Sequence, residues 1–122
     1  MHELSIAISL LDLAEEEARR RNVRVLALHL RLGPLSGVIK EALLSAYDMA
    51  REGTPMADAE LKIEDVPLAA YCPACCKETA PASIGELVCP DCGAPTPQII
   101  RGREMELTAL EVEDDETANS PG

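Results

Sequence analysis

Cys72-Pro73-Ala74-Cys75-Cys76 and Cys89-Pro90-Asp91-Cys92-Gly93 decide how this chain must fold. Each stretch holds a Cys-x-x-Cys unit, and thirteen residues separate Cys75 from Cys89. A tetrahedral metal needs four thiolates converging from two directions, and each tight Cys-x-x-Cys turn supplies two. Two such units at this spacing form the zinc-ribbon pattern, with Cys72, Cys75, Cys89 and Cys92 as zinc ligands. Four thiolates fill the shell of Zn²⁺ and leave no position for water or substrate, so the site is expected to be structural. The prolines stiffen both turns, and Gly93 can take the positive φ that such a turn requires after its last cysteine. Two disulfides are another use of these residues, but they leave a fifth cysteine over. A rubredoxin-like iron site would use the same four thiolates. Cys76 is the odd residue: a free thiol beside the site, or a ligand in place of Cys75. The exchange would give Cys72-x-x-x-Cys76 and break the symmetry of the two turns.

Around these motifs the chain changes character. Residues 67–103 carry all five cysteines and six of the nine prolines, with few large apolar side chains. Metal, not an apolar core, is expected to hold this segment together. On its N-terminal side an amphipathic pattern starts at once. Leu4, Ala7, Ile8, Leu11, Ala14 and Ala18 mark a helical face, widened by Ile6, Leu10 and Leu13. Arg19, Arg20 and Arg21 suit the negative end of that helix, and Asn22 can close it.

Val23 to Leu32 reads as a strand with Leu26, Leu28, Leu30 and Leu32 on one face. Gly33-Pro34 breaks it, and Ser36 is a candidate cap. A second helix is expected from about Val38 to Arg51, facing the core with Ile39, Ala42, Leu43, Ala46, Met49 and Ala50. Glu60 to Val66 alternates as a second strand. Glu104 to Val112 reads as a third, with Leu110 and Val112 out of phase with Met105 and Leu107, as a bulge would leave them. The order is helix, strand, helix, strand, metal module, strand. Residues 1–66 and 104–113 are expected to form an α/β domain, residues 67–103 a zinc-ribbon domain, and residues 114–122 an acidic disordered tail.

The 122 residues suffice for one modest core plus a metal-stapled module. That core is aliphatic, because the chain has no Phe or Trp and only two Tyr. A net charge of −11 opposes binding to nucleic acid, which depends on clustered Lys and Arg. No run of eighteen apolar residues offers a membrane span. Unpaired cysteines and the lack of a leader point to the reducing cytoplasm.

A second metal signal lies at the N-terminus. The α-amine of Met1, the backbone nitrogen of His2 and the His2 imidazole can form fused chelate rings around one metal. Such nitrogen donors suit square-planar Ni(II) or Cu(II). Glu3 can add a donor or orient one. The large His2 side chain is expected to block removal of Met1 and keep the amine in place.

Taken together, Met1-His2-Glu3-Leu4-Ser5, Gly33-Pro34-Leu35-Ser36-Gly37-Val38, Gly53-Thr54 and Cys72-x2-Cys75-x13-Cys89-Pro90-x-Cys92 resemble the HypA family of nickel metallochaperones. The likeness runs to about Glu113. It implies an α+β fold: two helices on a three-stranded mixed sheet, with a zinc-ribbon lobe inserted between strands two and three. It also implies nickel binding at His2, a part for neighbouring Glu3 in nickel delivery, and zinc binding at Cys72, Cys75, Cys89 and Cys92; with the Met1 amine as a further nickel donor, a binding protein and not an enzyme is expected. Implied partners are a HypB-type GTPase and the large subunit of a [NiFe]-hydrogenase, with urease accessory proteins as further partners for some members. Cys76 and the acidic tail depart from the family pattern.

Two other classes stand beside this reading. A zinc-ribbon interaction module in transcription or translation accounts for the cysteines but not for Met1-His2-Glu3. An enzyme with a catalytic metal lacks both an open coordination position and a general-base histidine. His29, mid-strand beside alternating leucines, reads as a sheet-surface or packed residue, and Glu15-Glu16-Glu17 as a solvated helix face.

Overall fold

A computed structural model describes residues 2–114. Met1 and the tail from residue 115 onward lie outside the described residues. The elements are α1 (Glu3–Arg21), β1 (Val23–Leu32), α2 (Lys40–Arg51), β2 (Glu60–Asp65), β3 (Ala69–Cys72), β4 (Lys77–Thr79), β5 (Gln98–Arg101) and β6 (Met105–Asp114). A mixed three-stranded sheet has the order β2-β1-β6, and a second sheet has the order β4-β3-β5. The expected α+β class with two helices is what the chain adopts.

Chain contacts separate two compact units. One comprises Met1–Leu30, Val38–Ile63 and Leu107–Gly122; the other comprises Arg31–Gly37 and Glu64–Glu106. The expected metal segment of residues 67–103 lies within the second unit, which also takes in the Gly33-Pro34 turn. β6 runs to Asp114, and the remaining residues of the expected tail lie outside the described residues.

The first unit is built on α1. Asn22 ends this helix in the left-handed region at φ 54°, donating its N–H to the carbonyls of Ala18 and Arg19. The buried face is Ile6, Ala7, Leu10, Leu11 and Ala14. It is narrower than the sequence pattern suggests: Leu4, Ile8 and Leu13 are 48%, 46% and 52% exposed. The apolar residues of α1 span more than half the helix circumference, and its neighbours cover only the middle of that arc.

The second helix needs a similar correction. Its N-cap is Ile39 in extended conformation, not Ser36, and no side chain of the cap residue bonds its amides. Met49 points out at 70% exposure and Ile39 at 62%, whereas Tyr47, one of the two aromatics, is buried. The Tyr47 hydroxyl donates to the Ala59 carbonyl at 2.8 Å, and Arg51 donates to the same oxygen at 2.8 Å. The Arg51 guanidinium also lies 5.6 Å from the centroid of the Tyr47 ring. These contacts satisfy the polar end of a ring whose body fills the aliphatic core.

In β1, Val25, Leu28 and Leu30 lie in the main core cluster, Ala27 and Leu32 are also buried, and Leu26 is exposed. Adjacent Ala27 and Leu28 are both buried, so burial does not follow a single face of this strand. In β6, Leu107 and Leu110, three residues apart, both pack against the core. Away from the core, β1 carries His29, whose Nε2 lies 2.9 Å from Glu111 Oε1, and Lys62 reaches the same carboxylate at 3.4 Å. Arg24 pairs with Glu113. His29 is therefore a sheet-surface residue.

In the second unit, Gly33 and Gly102 touch backbone to backbone. A Cβ on Gly33 would lie 2.2 Å from the Gly102 oxygen, so only glycine fits. Gly33 N–H donates to the Glu104 carbonyl at 2.8 Å, and Leu35 N–H to the Gly102 carbonyl at 2.6 Å. The Gly-Pro turn thus fastens to the segment that follows β5.

Candidate metal centre

The first cysteine turn joins two short strands that the sequence pattern did not reveal. β3 pairs antiparallel with β4, matching Ala70 to Thr79, Tyr71 to Glu78 and Cys72 to Lys77. It also pairs with β5, with a register shift between Ala69 and Ala70. Strands of three or four residues built from Ala, Cys, Lys and Thr are too short to show alternation.

Pro73–Cys76 therefore form a hairpin loop closed by the pair Cys72 and Lys77. Cys76 occupies the left-handed region at φ 54°. The second turn repeats this construction. Cys89 N–H donates to the Ala94 carbonyl at 2.8 Å, Gly93 N–H to the Cys89 carbonyl at 2.8 Å, and Gly93 has φ 75°. Position by position, Cys72 corresponds to Cys89, Cys75 to Cys92 and Cys76 to Gly93. Cys76 is the residue that takes the left-handed conformation closing the first turn. Its sulfur turns back to donate to the Pro73 carbonyl at 3.4 Å.

The two turns bring four sulfurs together. Those of Cys72, Cys75, Cys89 and Cys92 lie within 4.8 Å of one another, and Cys76 is not among them. Cys75, rather than Cys76, completes the set. A regular tetrahedron of sulfurs about 2.3 Å from a central ion has edges of about 3.8 Å. The Cys72 and Cys92 sulfurs are 3.5 Å apart, and all five cysteines are free thiols, so neither disulfide pairing is formed. The donor chemistry and the spacing fit a tetrahedral four-thiolate ion, and no position is left for a reacting ligand.

The cluster is asymmetric. Cys72 and Cys89 are buried, Cys75 is half-buried and Cys92 is exposed. Cys75 N–H donates to the Cys72 sulfur at 3.3 Å, and the Thr79 hydroxyl oxygen lies 3.7 Å from the Cys89 sulfur. Burial pushes the Cys89 thiol up, but the amides of Cys92 and Asp91 and the Thr79 hydroxyl outweigh it and hold the group down at about 6. The neighbouring sulfurs of Cys92, then Cys72, push Cys75 up to about 12. Crowding of the sulfurs thus opposes ionisation of Cys75. A divalent cation supplies the charge that allows all four to ionise. Lys77 adds a second positive charge, bridging the turns through Asp91 at 3.1 Å. Neither Thr79 nor the Lys77–Asp91 pair was singled out from sequence. The only available signal was the turn-to-turn correspondence, which places Lys77 just after the first turn.

At the other candidate site, His2 is exposed and forms the N-cap of α1, its carbonyl accepting from Ile6 N–H at 3.3 Å. Glu3 opens the first turn, and its carboxylate accepts the Ile39 N–H at 3.4 Å. Its own backbone amide, then that of Ile39, keep the Glu3 carboxyl below the usual carboxylate range. The structure thus ties the start of α1 to the start of α2 through Glu3, a role the sequence did not disclose.

An α+β unit and a two-turn module that brings four cysteine sulfurs together define a protein of the metal-binding class. A family model described as hydrogenase/urease nickel incorporation, metallochaperone, HypA matches residues 1–112. The hydrogenase maturation factor HypA of Roseiflexus sp. (strain RS-1) is 51% identical over 116 residues, covering 94% of each chain. That of Chloroflexus aurantiacus is 46% identical over 112 residues, covering 91% of this chain and 98% of the relative. The solution structure of the Ni metallochaperone HypA from Helicobacter pylori superposes with a TM-score of 0.62 at 30% identity, covering 94% of this chain and 100% of that one. The chain belongs to the HypA family of nickel-incorporation metallochaperones. Among the described residues no helix is long and apolar enough to cross a membrane.

Proposed function

We propose that the protein binds Ni(II) at its N-terminus and delivers it to the large subunit of a [NiFe]-hydrogenase, while zinc at Cys72, Cys75, Cys89 and Cys92 holds the second unit in shape. Nickel is cargo and zinc a resident ion. The Met1 amine, the His2 amide nitrogen and the His2 imidazole chelate nickel. The observation that carries this is the exposed His2 at the start of α1 in a chain matched by the nickel-incorporation family from its first residue.

The chemistry of a helix start supports the assignment. Its first amides have no acceptor within the helix, so the His2 nitrogen can be surrendered to a metal without breaking the helix. The positive end of the α1 dipole opposes a bound cation by about 0.3–1 kcal/mol, and the ionised amide and the Glu3 carboxylate offset it. Glu3 fixes the first turn through Ile39 and is in place to serve as a further donor if that bond opens. An exposed site of this kind exchanges ligands readily with an acceptor. In this scheme a HypB-type GTPase supplies or gates the ion in the cytoplasm, and urease accessory proteins are further recipients.

The test uses protein with a native N-terminus, because an added residue destroys the amine chelate. Zinc content and Ni(II) titration are compared between wild type and His2→Ala. One retained zinc and loss of nickel in the variant are expected. Unchanged nickel affinity in His2→Ala would refute the assignment and leave a zinc-ribbon interaction module in its place.

A further inference from the structure

Two threonines are the buried polar side chains of the second unit: Thr79 at 8% exposure and Thr96 at 0%. Their hydroxyls differ. That of Thr96 is buried without a hydrogen-bond partner, whereas that of Thr79 lies 3.7 Å from the Cys89 sulfur, itself 1% exposed. Thr79 ends β4, the strand that leaves the first cysteine turn, and Cys89 opens the second. A bond between them ties the strand that follows the first cysteine turn to the first cysteine of the second.

We propose that Thr79 is a positioning residue of the metal centre, its hydroxyl donating a hydrogen bond to the metal-bound Cys89 thiolate. This rests on the four-thiolate assignment above. A thiolate carries no proton, so within this pair the hydroxyl is the only possible donor. Cys89 is buried, and water cannot replace a lost donor there. The bond fixes the Cys89 side chain and withdraws charge from a centre in which four thiolates outweigh one divalent ion. Groups that orient metal ligands in this way typically change metal affinity by about 10–100-fold when removed.

The experiment compares full-length wild type with Thr79→Val, Thr79→Ser and Thr96→Val. Zinc affinity is read by competition with a chromophoric chelator, and site geometry by Co(II) substitution. Thr79→Val keeps the shape and removes the donor. It should weaken zinc binding about tenfold or more and shift the thiolate-to-cobalt charge-transfer band to lower energy, because an unbonded sulfur lone pair is less stabilised. Thr79→Ser should restore both properties. Thr96→Val should behave as wild type, since its hydroxyl has no partner to lose. Zinc affinity of Thr79→Val within about twofold of wild type with an unshifted band would overturn the proposal, as would a Thr79→Ser variant as weak as Thr79→Val, which would make the role one of packing. A wild-type chain binding neither zinc nor cobalt would instead refute the four-thiolate assignment itself, and the proposal with it.

Discussion

Replacing Cys76 by glycine should leave the metal centre intact and make the second unit slightly more stable. Cys76 follows a cysteine of the four-sulfur cluster and is a cysteine itself, so its loss would ordinarily be expected to damage the site. The structure gives the opposite sign. Its sulfur is outside the four-thiolate cluster, and its backbone sits at φ 54°. A side chain in the left-handed region costs about 1–2 kcal/mol, which glycine removes. Against this, glycine adds about 0.5–1 kcal/mol of chain entropy to the unfolded state. The weak contact from the Cys76 sulfur to the Pro73 carbonyl adds little at an exposed position. The balance runs from neutral to about 1 kcal/mol stabilising. Gly93→Ala tests the same geometry from the other side. Nothing lies within 4 Å of the added Cβ and φ is 75°, so the cost is purely that of the backbone, about 1 kcal/mol. Urea unfolding of the zinc-loaded proteins, with zinc counted per chain, measures both. Loss of zinc from Cys76→Gly would show that Cys76 is a ligand and refute the reasoning.

Gly33→Ala should destabilise the second unit by about 3 kcal/mol, since the new Cβ meets backbone that cannot rotate away; a urea midpoint close to wild type would contradict the contact. Tyr47→Phe should cost about 1 kcal/mol at neutral pH, because the Ala59 carbonyl keeps its bond from Arg51. The same residue sets an alkaline limit. Burial pushes the Tyr47 phenol up from 10 to about 12, so its neutral form stabilises the fold fully below pH 10, and that contribution is lost as pH rises toward 12. Alkaline titration of helical circular dichroism should show Tyr47→Phe holding its structure to higher pH than wild type, and coincident curves would reject this account.

The sequence by itself determined the features set by covalent spacing and local conformational preference. Two Cys-x-x-Cys turns chelate one ion whatever surrounds them, so Cys72, Cys75, Cys89 and Cys92 were legible as a set. β1 was legible from Val23 to Leu32 because Asn22 and Gly33 punctuate it. Only the tertiary structure decided which side of each element is buried. Periodicity marks Leu4, Ile8, Leu13 and Met49 as apolar, but a neighbour must be present to cover them, and none in the described chain does. Tyr47 is inside because the Ala59 carbonyl, twelve residues on, accepts its hydroxyl. Glu3 reached Ile39, Gly33 met Gly102 and Thr79 met Cys89 through contacts between distant parts of the chain. Local sequence sets how each segment can bend, while these pairings depend on which surfaces meet when the segments pack.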